Sequence, residues 1–70
     1  MEWIKTPESS NIAQFCYTHG NRILTVEFNV GGTYQYFDIP PVVFDALKVA
    51  PSKGQFLAQR VKGKYRFSRI

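Results

Sequence analysis

Polar and apolar residues alternate from Ile23 to Phe28, with Leu24, Val26 and Phe28 on one side and Ile23, Thr25 and Glu27 on the other. A period of two is the mark of a half-buried β-strand. Thr33 to Phe37, rich in β-branched and aromatic residues, reads as the second arm of a hairpin. Loop length sets the pairing. A two-residue Gly31-Gly32 turn would pair Phe28 with Gln35 and Glu27 with Tyr36. A three-residue Asn29-Val30-Gly31 loop, with Gly31 left-handed in a bulge, would pair Val26 with Tyr34 and Leu24 with Tyr36. The second register is preferred. It collects Thr25, Glu27, Thr33 and Gln35 on one face and Leu24, Val26, Phe28, Tyr34 and Tyr36 on the other. A slip of one residue would exchange the faces, so clean sorting is informative.

Upstream, Asn11 to Thr18 predicts a first strand with Ala13, Phe15 and Tyr17 on one side. His19-Gly20-Asn21-Arg22 has the composition of a turn. A four-residue loop there pairs Tyr17 with Leu24 and Phe15 with Val26, leaving Cys16 on the polar face. Residues 1–8 have no period and read as an extended lead-in, in which Trp3 and Ile4 either dock or form a sticky arm.

Downstream, Pro40-Pro41 ends the strands and suits a first helical turn. Val43, Phe44, Leu47 and Ala50 follow at helical spacing until Pro51. Ser52-Lys53-Gly54-Gln55 fits a capping box for a second helix, whose apolar stripe is Phe56, Leu57 and Val61 and whose end is Gly63. Residues 64–70 alternate basic and apolar, as a short strand or a docked basic tail. The expected fold is α+β: a three-stranded antiparallel meander followed by two C-terminal helices packed on one face.

Seventy residues make one domain with a thin margin of buried surface. A single cysteine excludes an internal disulfide, and no metal cluster or cofactor motif presents itself. No apolar run approaches the length of a membrane span. Met-Glu-Trp-Ile-Lys lacks the basic start and apolar core of a signal peptide, so a reducing cytoplasm is expected. Charge is strongly divided. Residues 1–45 hold two basic side chains (Lys5, Arg22) and all five acids, a net of −3; residues 46–70 hold seven basic side chains and no acid, a net of +7. Such asymmetry points to a partner of negative charge. The plainer reading is a solvated basic surface.

With the landmarks placed, the chain resembles the KTSC domain family, which is found at the C-terminus of some lysyl-tRNA synthetases and as stand-alone proteins. The similarity runs from Ser9 to Tyr65. It is carried by Ser9-Ser10-Asn11-Ile12, Tyr17, Leu24-x-Val26-x-Phe28, Gly31, the hallmark Tyr34-x-Tyr36, Ile39-Pro40, Ala50, Ser52-x-Gly54, Phe56 and Tyr65. Pro51, Ala58 and Val61-Lys62 depart from the family's usual residues. The resemblance implies a small α+β domain. Through its attachment to a synthetase, it also suggests RNA binding.

Catalysis is not expected. A nucleophile needs a base held beside it, and Cys16 and His19 are neighbours only in sequence. Tyr34 and Tyr36 allow two readings: rings on an open sheet that stack bases, or rings buried beneath the helices. The pairing favours burial, which leaves Phe37, on the other face, as the exposed aromatic. Ser52-Lys53-Gly54 opens a helix whose free N–H groups suit an anion, or serve only as a cap. Arg60, Lys62, Lys64, Arg66 and Arg69 interleave with Tyr65 and Phe67, a pattern suited to single-stranded nucleic acid. The expected function is a non-enzymatic RNA-binding module that contacts phosphates through Lys53, Arg60, Lys62, Lys64 and Arg66. The alternative is a protein-interaction or homo-oligomerising module using Trp3, Ile4 or a sheet edge.

Overall fold

A computed structural model describes residues 3–70, so the first two residues of the expected lead-in lie outside the described residues. The elements are β1 (Ile4–Lys5), β2 (Ile12–Thr18), β3 (Ile23–Phe28), β4 (Thr33–Tyr36), α1 (Pro41–Val49), α2 (Lys53–Arg60) and β5 (Phe67–Arg69). The strands form one antiparallel sheet in the order β1-β2-β3-β4-β5.

The central hairpin has the register that sorts its faces. Leu24 opposes Tyr36 and Val26 opposes Tyr34. Gly31 and Gly32 both take positive φ, 106° and 100°, and the Phe28 N–H donates to the Gly32 carbonyl across the loop. Glycine reaches that region without a Cβ penalty. Tyr17 opposes Leu24 and Phe15 opposes Val26, as the turn length implied.

Two expectations need correction. The sheet has five strands rather than three. Ile4 and Lys5 pair with Phe15 and Gln14, so the lead-in supplies an edge strand. Residues 67–69 pair back onto β4, so much of the basic tail is the other edge. A strand of two residues is too short for a period to be read from it, whereas the alternation over 64–70 had offered the short strand found at the other edge. The second correction concerns Ala13. The β2–β3 register shifts between Ile12 and Gln14, and this bulge reverses the side-chain parity below it. Ile12, only 1% exposed, therefore joins Phe15 and Tyr17 in the core where alternation had placed Ala13.

The helices cover the face that carries Leu24 and Val26. From α1, Phe44 stacks on Tyr17, centroids 4.7 Å apart, and meets Phe15 edge-on at 6.1 Å. Leu47, Leu57 and Val61 complete the layer with Ile39. The Tyr17 hydroxyl donates to the buried Ile39 carbonyl and ties β2 to the chain entering α1. Thr6 is 1% exposed, and its hydroxyl donates to the Ile12 carbonyl at 2.5 Å, which holds β1 against the bulge.

Pro51 separates the helices, and Ser52 caps α2 by accepting from the Gln55 N–H at 3.3 Å. Loss of such a cap typically costs about 0.5–2 kcal/mol. Ser52→Ala should lower stability by that amount in urea unfolding, with Ser52→Asp close to wild type. An unchanged midpoint for the alanine variant would show that the cap contributes nothing.

Candidate nucleic-acid interface

Towards β5 the helical cover runs out. Tyr36 is 3% exposed, Tyr34 is half-buried and Phe67 is 59% exposed. All three point to the helix-bearing face, because Tyr36 opposes both Leu24 and Phe67 across the sheet and Tyr34 is two residues away. Their rings form one group with Phe28. Tyr34 meets Phe28 edge-on at 5.6 Å, lies near-parallel to Tyr36 at 6.5 Å, and Phe67 stands 5.8 and 6.0 Å from the two tyrosines. These rings line a pocket of about 370 Å³, with Asn11 and Lys62 at its wall. The Lys62 ammonium lies 4.8 Å from the Phe28 centroid, a cation–π contact that fixes a positive charge there.

The Tyr34–Tyr36 pair is therefore divided in role. Tyr36 belongs to the core and forms part of the pocket lining; Tyr34 is a half-buried wall. Burial pushes the Tyr36 phenol above its ordinary 10.0, and Tyr34 adds to the rise. Phe37, on the opposite face, is half-buried rather than open, with the Arg66 guanidinium 5.7 Å from its ring.

The helix α2 ends at Arg60 with Val61 as its cap, and Gly63, with φ of 80°, lies in the turn beyond it rather than directly at the helix end. Lys64 and Arg66 then line a second, shallower concavity with Phe37 and Tyr65, and it shares Gly63 and Phe67 with the first. Arg66 also pairs with Asp38 at 3.2 Å. Both partners are more than three-quarters exposed, so the pair is weak and exchangeable.

The other cations lie apart. Arg60 sits over the Phe56 ring at 5.8 Å. Lys53, at the far end of α2, donates to the Ala50 carbonyl at 3.2 Å. Seven residues of helical rise put Lys53 about 10 Å from Arg60 along the axis. The structure thus gathers Lys62, Lys64 and Arg66 around adjoining hollows and leaves Lys53 away from them. Phe28 and Asn11 were missing from the sequence-derived site. They reach it because β3 ends beside the pocket and Asn11 accepts from the Asn29 N–H across the hairpin loop.

Cys16 and His19 do not meet. Cys16 is fully buried on the sheet face opposite the core, where burial raises its thiol above 9.0 and the Thr25 hydroxyl partly offsets the rise. His19 lies edge-on to Tyr17 at 4.8 Å, on the other side. No helix among the described residues is long and apolar enough to cross a membrane.

The KTSC domain family model matches residues 8–65. The chain belongs to the KTSC domain family. A lysine–tRNA ligase from Nostoc punctiforme is 45% identical over 64 residues; the match spans 91% of this chain but only 11% of the ligase. A protein from Tsukamurella paurometabola, itself of similar size, is 42% identical over 59 residues that cover 84% of this chain and 88% of its own. The crystal structure of a KTSC domain protein from Yersinia pestis superposes with a TM-score of 0.94 at 33% identity, covering 99% of this chain and 96% of that one. In this KTSC domain Tyr34 and Tyr36 both line the pocket just described.

Proposed function

We propose that this KTSC domain is a non-enzymatic RNA-binding accessory module of the cytoplasm. The observation that carries the reading is the concentration of +7 on residues 46–70, without an acid, beside an aromatic pocket. Lys62, Lys64 and Arg66 contact phosphates along the two adjoining hollows, and Arg60 extends the charge onto α2. Lys53 makes at most a peripheral contact, because its ammonium is held by Ala50. The match to lysine–tRNA ligases supports the same reading, since a tRNA ligase handles RNA.

Four phosphate contacts to a single strand give a log–log salt slope near −3, from about −0.7 for each. A labelled single-stranded RNA titrated at several salt concentrations should show that slope. Lys64→Ala should weaken binding to every RNA sequence alike and flatten the slope by somewhat under one unit. Absence of binding at low salt, where counterion release is most favourable, would overturn the reading. An interaction module working through Trp3 or a sheet edge would become the better account.

A further inference from the structure

The charged residues explain attachment to a phosphate backbone, but they leave the pocket between Phe28, Tyr34, Tyr36 and Phe67 without a task. Phe67 is the clearest sign of one. A phenylalanine 59% exposed on an edge strand adds little to the core, yet it stands about 6 Å from both tyrosines and closes the open side of the aromatic group. We propose that this pocket receives one unstacked base of a single-stranded RNA, with Lys62 holding the phosphate of the same nucleotide.

This inference rests on the RNA-binding reading and adds to it the part of the nucleotide that is read. Four features select the ligand. The rings offer flat π-faces, and every base has a π-face to set against them. Lys62 places an ammonium at the wall, and no acidic residue lines the pocket, so a cationic ligand is repelled and an anionic one attracted. Asn11, exposed, carries both an amide donor and a carbonyl acceptor, which suits the polar edge of a base. The volume of about 370 Å³ lies at the small end of the range for ligand sites, which fits one nucleotide and not a packed helix.

The second hollow explains why the nucleotide belongs to a strand. It shares Gly63 and Phe67 with the pocket and carries Lys64 and Arg66, so a chain leaving the first hollow meets two further cations within one step. A duplex cannot satisfy the pocket, because its bases are stacked and their faces hidden.

Nuclear magnetic resonance titrations with three probes test this: oligouridine octamer, the same ribose-phosphate octamer without bases, and uridine monophosphate. The octamer should bind and shift the ring signals of Tyr34 and Phe67. The abasic strand should bind with the same salt slope, about 5- to 150-fold more weakly, and leave those rings unmoved. Uridine monophosphate should shift the same rings at much higher concentration. Phe67→Leu keeps an apolar side chain on β5 without a π-face; it should weaken the octamer severalfold and leave the abasic strand unaffected.

Equal affinity for the octamer and the abasic strand would overturn the base pocket while leaving backbone binding intact. Failure of both strands to bind at low salt would remove the RNA reading and the pocket with it. Uridine monophosphate binding as tightly as the octamer would overturn the proposal in favour of a free-nucleotide site.

Discussion

Tyr36→Ala is expected to cost about 3–5 kcal/mol of folding stability, the range for losing a large buried aromatic. The ring is 3% exposed in a cluster with Leu24, Val26, Ile39 and Leu57, and it opposes Leu24 on one side and Phe67 on the other. Removing it opens a cavity where β3, β4 and β5 share one layer. A domain of this length has roughly 4–10 kcal/mol in total, so the variant should lose a large share of its stability. Denaturant unfolding followed by circular dichroism measures the loss. Tyr36→Phe keeps the ring and its packing and should remain folded. An alanine variant as stable as wild type that had lost RNA affinity would show Tyr36 to be a ligand contact rather than a core residue.

Stability should also fall at alkaline pH. Burial raises the Tyr17 phenol above 10.0; Arg22 opposes the rise and Asp45 adds to it. Burial likewise raises Tyr36 above 10.0 and the Cys16 thiol above 9.0. All three are neutral when protonated, so the folded state keeps protons that the unfolded chain releases. Their contribution is fully present below the unfolded values, near 9 for the thiol and 10 for the phenols, and is lost as pH rises towards the higher folded ones. Each group that ionises only on unfolding removes up to about 1.4 kcal/mol per pH unit.

Urea unfolding at a series of pH values from 8 to 11 should show the midpoint fall in that window. Tyr17→Phe removes one ionising group and should make the fall shallower, although the Ile39 carbonyl then loses its donor and the variant starts from lower stability. A midpoint independent of pH to 11 would mean that these groups are reached by solvent in the folded state.

How far such residues could be placed in advance varied along the chain for physical reasons. The hairpin was legible because one face of β3 is buried and the side-chain period is two, so only one loop length puts Val26 and Tyr34 together. Pro51 and Ser52 marked the break between helices by local chemistry alone, through a missing N–H and a capping hydroxyl. Tyr17, Phe15 and their partners followed from a turn of countable length. In each case the determining contacts lie within a few residues of one another or across a single turn.

The remainder needed the tertiary structure. β1 is a strand only because β2 offers it an open edge, its own residues being too few to carry a pattern; for residues 64–70 the open edge of β4 decided between a short strand and a docked tail. The bulge at Ala13 sends Ile12 inward, and nothing in local alternation announces it. The pocket joins residues from 11 to 67, and its depth depends on how far the helices extend over the sheet. Tyr34 and Tyr36 share one face, spacing and residue type, so sequence alone determined that they lie side by side. Only the limit of the helical cover decided that one ring is buried and the other left half-open beside Lys62.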